Sequence, residues 1–190
     1  MSTKQLWLLA GGNGSGKTTF YRTQLEPLGI PFINADNIAK KLYPESPEVH
    51  SYEAAAIAEE LRYDLLHQGQ TFCFETVFSH PSKIDFIAKA KALGYEIILV
   101  FIHLSSSELN KARITQRVLE GGHFVPDDKV VSRIPRTINN IKTAITLSDQ
   151  THLLDNSSVE KPYQRVATIK NNVLVSDASS LTDWAKELLG

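Results

Sequence analysis

The residues best suited to chemistry sit in one short run. Gly11, four intervening residues and then Gly16-Lys17-Thr18 occupy every fixed position of the pattern G-x-x-x-x-G-K-[ST]. Glycines at 11, 12, 14 and 16 let successive backbone N–H groups turn inward on a phosphate, so Gly12, Asn13, Gly14, Ser15, Gly16 and Thr19 belong to the same binding run. A helix opening near Gly16 adds its positive dipole end. In such a loop Lys17 bridges the β- and γ-phosphates and the Thr18 hydroxyl holds Mg²⁺. The pattern predicts a nucleoside-triphosphate site.

In an open parallel sheet, ligands lie beyond the carboxyl ends of the strands, so the residues that end each apolar run carry the next information. The second run ends in Asn34-Ala35-Asp36, the third in Glu75-Thr76, the fourth in His103 and the fifth in Asp155-Asn156-Ser157. Asp36 is the candidate catalytic base, because a phosphoryl acceptor must have its hydroxyl oriented and its proton removed. It would equally serve as a cap for a helix over 37–42. Glu75 would accept hydrogen bonds from the acceptor or hold Mg²⁺ through water; a structural pair with a nearby Lys or Arg is its plainer use. Thr76 and Ser79 offer hydroxyls to substrate oxygens or serve as ordinary loop residues.

The stretch from Arg113 to Arg136 reads as a helical lid. Arg113 and Arg117 stand four apart on one helix, Gly121-Gly122-His123 breaks it, and Arg133 and Arg136 stand three apart on the next. Transfer of a γ-phosphoryl group needs cationic clamps on its equatorial oxygens, with Arg117 and Arg133 the first candidates, Arg136 next and Arg113 last. Solvated helix charges are the plainer alternative. His103 and His123 have no partner at zinc-ligand spacing and read as structural. Cys73, the one cysteine, sits in an apolar run and reads as a small buried hydrophobe.

The elements that must position these groups alternate. Strands are predicted at Leu6–Ala10, Pro31–Asn34, Thr71–Glu75, Glu96–His103 and His152–Asp155. Helices are predicted at Gly16–Leu25, Ala35–Leu42, Val49–Gln68, Pro81–Leu93, Ser106–Glu120 and Asp127–Leu147. Tyr163–Lys170 and Val173–Ser176 flank Asn171-Asn172 as a hairpin appended to the sheet, and a last helix spans Leu181–Leu189 with Ser180 as a candidate cap. The expected fold class is α/β: a three-layer P-loop NTPase with a central five-stranded parallel sheet in the order 2-3-1-4-5, helices on both faces, and a small C-terminal β-hairpin and helix. One domain over 1–190 is expected. With 42% apolar and 22% charged residues the chain reads as soluble and globular, and its net charge of −1 argues against a nucleic-acid partner. No run reaches membrane-spanning length, and no charged leader precedes a signal-type stretch, so a cytoplasmic location without a membrane partner is the expectation.

The chain resembles the zeta-toxin-like P-loop kinases, a branch of the nucleoside-monophosphate-kinase-like fold. The resemblance rests on residues 10–19, on Asn34-Ala35-Asp36, on Phe74-Glu75-Thr76, and on Arg117-Val118 followed by Glu120-Gly121-Gly122-His123 and Val125-Pro126. Arg133, Arg136 and Asp155-Asn156-Ser157 complete it, and it spans about Leu6 to Ser157. It implies ATP and Mg²⁺ as cofactors and phosphorylation of a hydroxyl on a small molecule. In the best-known members that hydroxyl is the sugar 3′-hydroxyl of UDP-N-acetylglucosamine, and an antitoxin protein is the partner. By the same resemblance Lys17 and Thr18 hold phosphate and Mg²⁺, Asp36 activates the acceptor, Glu75 and Thr76 face its pocket, Arg117 and Arg133 clamp the transferring group, and Asn156 lies near the adenine. The chain departs from the larger toxins in being shorter and in ending in its own hairpin and helix. The alternatives are an ATP-binding switch or slow ATPase without an acceptor, and a kinase of a nucleoside or polynucleotide.

Overall fold

The computed structural model describes residues 3–119, 127–175 and 181–190, with side chains described except at 107, 117–119 and 127–129. Five apolar runs form strands: β1 (Gln5–Ala10), β2 (Phe32–Ile33), β3 (Phe72–Thr76), β4 (Glu96–His103) and β5 (Gln150–Asp155). They pair in parallel, as the alternation of strands and helices predicts, in the order β2-β3-β1-β4-β5 expected of the P-loop fold class. Parallel neighbours need crossovers of helical length. These are α1 (Lys17–Phe20) with a π-turn over Tyr21–Leu25, α2 (Ala35–Leu42) and α3 (Ser51–His67), α4 (Ser82–Ala92), and α5 (Ser107–Leu119) with α6 (Asp127–Leu147).

Successive strand side chains face opposite sides of the sheet. Leu6, Leu8, Phe72, Phe74, Leu99 and Phe101 enter the larger core layer, under Leu66 of α3, Phe86 and Ile87 of α4, and Ile141 and Ala144 of α6. Leu9, Cys73, Val100, Ile102 and Leu154 enter a smaller layer with Tyr21 and Leu25. Burial on both faces is why these strands read as almost continuous apolar runs. Cys73 is fully buried, and burial, with Glu75 adding to it, pushes its thiol well above the usual range, which suits a packing role.

The C-terminal hairpin is appended to the sheet as expected, and it turns the five-stranded parallel sheet into a mixed one. β6 (Gln164–Lys170) pairs antiparallel with β5 from Gln150 to Asp155, and β7 (Val173–Leu174) pairs with β6, giving one mixed sheet of seven strands. The cause is local: a bare β5 would leave an unpaired edge, and Asn171 and Asn172, at φ +48° and +63°, make the left-handed turn that folds the hairpin back. Several boundaries move by one or more residues; β5, for example, starts at Gln150 and not at His152. β2 stops at Ile33 because the Asn34 side chain accepts from the Asn37 N–H at 2.8 Å and caps α2. The last helix, α7 (Asp183–Leu189), has Thr182 at its cap position, while Ser180 lies outside the described residues.

Register brings the strand ends to one rim. Ile33 stands level with Phe74, Ala10 with Thr76 and Phe101, and His103 with Asp155.

Candidate active site

The loop over 11–16 leaves β1 and enters α1. Gly11 has φ +149° and Gly16 has φ +97°. A Cβ at Gly11 would meet the Ile102 carbonyl oxygen at 2.3 Å, and one at Gly16 would meet Asn156 Nδ2 at 2.6 Å. Side chains do not pack that closely, so only glycine fits either position. The outer side of the loop is therefore pressed against β4 and the segment after β5.

Three polar side chains grip the loop from behind. Asn110 of α5 donates from Nδ2 to the Asn13 carbonyl at 2.6 Å, Asn156 Nδ2 donates to the Ser15 carbonyl at 2.9 Å, and Tyr163 Oη donates to the Gly16 carbonyl at 2.9 Å. Asn156 also accepts from the Tyr163 N–H on Oδ1 at 3.2 Å, and its carbonyl accepts from Arg113 Nη2 at 2.8 Å. Both ends of the Asn156 amide are engaged and the residue is buried, so in this structure it positions the loop. Arg113, the last-ranked lid candidate, is spent on the same bracket. Asn110 and Tyr163 escaped the sequence reading. The one signal for Asn110 is its place one turn before buried Ile114, a polar residue on an apolar face.

Inside the loop, Lys17 Nζ donates to the carbonyls of Gly11 and Gly12, each at 3.0 Å. The ammonium is buried where charge on a phosphate would be met. Thr18 Oγ1 donates to Glu75 Oε2 at 2.7 Å. That contact replaces the Lys or Arg partner considered for Glu75. A hydroxyl and a carboxylate meeting beside a phosphate loop fit Mg²⁺, which takes few protein oxygens and keeps waters and phosphates for the rest. Among the described residues no group of three or more His, Cys, Asp or Glu could hold a metal ion. Thr76 Oγ1 accepts from the Phe78 N–H at 2.9 Å, so its oxygen shapes the loop after β3, where Phe78 has φ +63°.

Asp36 is exposed in the first turn of α2, two residues past Asn34. Because Asn34 is the cap, the capping explanation for Asp36 fails and its carboxylate stays open at the rim beside β3.

On the other side of the loop, Gly12, Asn13, Val77, His103, Arg133 and Thr137 line a cavity between β4 and α6. Thr137 Oγ1 donates to the Val77 carbonyl at 2.8 Å and Asn140 Nδ2 to the Phe78 carbonyl at 2.9 Å, which fixes α6 against the loop after β3. Arg133 is half-buried, and its Nη1 lies 3.5 Å from Asn13 Oδ1 of the phosphate loop. Arg136 is exposed and does not line that cavity. Arg117 lies on α5 but its side chain, like Gly121-Gly122-His123, is outside the described residues. His103 stacks on Trp184 of α7 with centroids 4.3 Å apart, and Trp184 Nε1 donates to Asp155 Oδ2 at 3.3 Å. Burial pulls the His103 pKa below the usual imidazole range, with Asp155 opposing, so the ring is neutral at pH 7.

A family model described as an AAA domain (AAA_33) matches residues 6–139, well over half of the chain. The chain belongs to this family. An uncharacterised protein of Haemophilus influenzae is 33% identical to this AAA-domain chain over 140 residues, 70% of the chain and 99% of that protein. Among solved structures, the AvrRxo1-ORF1:ORF2 complex with ATP superposes with a TM-score of 0.74 at 18% identity, covering 98% of this chain and 64% of that one. The PezAT chromosomal toxin-antitoxin system of Streptococcus pneumoniae gives 0.66 at 20% identity, covering 100% and 84%. The Pnkp1/Rnl/Hen1 RNA repair complex gives 0.60 at 15%, covering 96% and 53%. The chain thus spans just under two thirds of the first of these structures and about half of the third. The shared feature is an α/β P-loop kinase-like fold, here with a mixed seven-stranded sheet and helices on both faces.

Proposed function

We propose that this chain is an ATP-dependent small-molecule kinase of the zeta-toxin type, a single P-loop kinase domain with a helical lid around 113–136. The observation that carries it is the 2.7 Å contact between Thr18, in α1 just after the glycine loop, and Glu75 near the end of β3, at the rim that also presents Asp36 and Arg133. The backbone N–H groups of the loop and Lys17 bind the β- and γ-phosphates. Thr18 and Glu75 would hold Mg²⁺, which when bound neutralises charge shared between those phosphates. Asp36 orients the acceptor hydroxyl. The acceptor oxygen attacks the γ-phosphorus, a new O–P bond forms as the bond to the β–γ bridging oxygen breaks, and ADP leaves with that electron pair. The acceptor proton passes to Asp36. Arg133, with Arg117 across the lid, stabilises the charge on the transferring oxygens. Thr76 and Arg136 are assigned to the acceptor side.

The test is mass spectrometry of a UDP-sugar and metabolite panel, headed by UDP-N-acetylglucosamine, after incubation with protein, Mg²⁺ and ATP. The expected result is one new species heavier by a single phosphate, reduced about 10²–10⁴-fold by Asp36→Asn. Asp36 is exposed, so that variant should keep its stability within about 0.5 kcal/mol. ATP loss with no phosphorylated product, equal in both proteins, would replace the kinase with the slow ATPase or switch.

A further inference from the structure

One cation lies where the core should be apolar. The buried stripe of α3 reads Ala54, Ala58, Arg62, Leu66, at helical spacing. Arg62 is only 7% exposed, and its guanidinium lies over the rings of Phe74 and Phe86, at 5.1 and 5.8 Å from their centroids. Its Nε is buried without a hydrogen-bond partner. The nearest carboxylate, on exposed Glu59, stands 4.0 Å from Nη2, beyond hydrogen-bonding reach. A buried charge left with so little compensation is disfavoured unless something else completes it.

A second cation stands beside it. Lys83, in the first turn of α4, is half-buried, and no ion pair to its Nζ occurs among the described residues. Burial lowers its pKa, the nearby Arg62 charge lowers it further, and Glu59 only partly opposes them; burial acts on Arg62 in the same direction. Two like charges, both partly desolvated, with a single carboxylate 4.0 Å from one of them, call for an anion.

The place is informative. Phe74, beneath Arg62, directly precedes Glu75 on β3 and is level with Ile33 of β2. Lys83 follows the loop by which β3 exits the sheet. The pair therefore sits at the ligand-bearing rim on the β2–β3 side, with Asp36, and away from the Asn156 side where the loop is braced.

We infer that Arg62 and Lys83 form a subsite for an oxyanion, a carboxylate or phosphate group carried by the phosphoryl acceptor. The acceptor assignment rests on the kinase reading above; the anion site itself does not. Arg62 supplies a planar fork with an unused Nε–H, suited to two oxygens of one group, and half-buried Lys83 supplies a second positive charge.

The test follows the Arg62 Nε–H resonance by NMR in protein saturated with Mg²⁺ and a non-hydrolysable ATP analogue, so that the phosphate loop is already filled. Inorganic phosphate and acetate are titrated separately. A saturable shift is expected for one of them, and the tighter binder names the oxyanion. Lys83→Gln should weaken it at least tenfold, whereas Lys89→Gln, which removes an exposed charge from the same helix, should leave it unchanged. No shift with either anion, or equal affinity in Lys83→Gln, would overturn the subsite. Failure of the analogue to bind, read on the loop amides, would overturn the kinase reading instead, and the Arg62 titration still decides the anion site.

Discussion

At the residue scale the site is a set of charged groups whose partners limit what each does. Lys17 is held by two carbonyls of its own loop, so its ammonium is fixed in place. Lys17→Met keeps the stem and removes the charge. ATP consumption should fall about 10²–10³-fold while the far-UV circular dichroism stays unchanged. Turnover within threefold of the parent would remove Lys17 from the phosphate site. These roles were legible because spacing alone announces a phosphate loop, and because Glu75 ends an apolar strand with a charge. Asn110, Tyr163 and Trp184 were not legible. Each acts on a residue more than twenty-five positions away, and nothing in a local window distinguishes an asparagine that braces a loop from one on a solvated face.

At the element scale, the strands and helices deliver those groups through tight backbone contacts. The loop between β1 and α1 touches β4 at Gly11, where the Ile102 carbonyl leaves no room for a side chain. Gly11→Ala therefore forces either the loop or β4 to move, in a backbone conformation that alanine rarely adopts. A loss of about 1–3 kcal/mol is expected, lowering Tm by about 2–12 °C, together with loss of ATP binding measured by calorimetry. Normal Tm and normal ATP affinity would show that the loop is free of β4. Most element boundaries were legible from period-two and helical patterning, and α2 and α6 match the predicted limits. β2 was overestimated at both ends, and at its C-terminal end Asn34 spends its side chain as the cap of α2.

At the scale of the whole molecule, two half-buried histidines tie folding to pH. His103 is held below the ordinary imidazole range by burial, with Asp155 opposing. His152 is held below it by burial and then by Arg165 and Lys170. The folded protein declines protons that the unfolded chain accepts near pH 6.5, so the unfolded state binds more protons in that window. Stability should be full above about pH 6.5 and decline as pH falls toward the depressed folded values. Urea midpoints measured from pH 7.5 to 5.5 should drop, and His152→Gln should shrink the drop. A midpoint that rises on acidification would contradict the burial of both rings.

The sequence by itself determined the phosphate loop, the five strand segments, the two-faced burial and the acid at the tip of β3. All of these are local: each follows from a fixed spacing, a period of two or 3.6, or a turn residue at a defined place. Tertiary structure decided that Asn156 braces the loop and that Arg62 lies buried near Lys83. Those outcomes depend on which surfaces meet across long separations, and the energy of a buried polar group is set by the neighbour it meets, not by its neighbours in the chain.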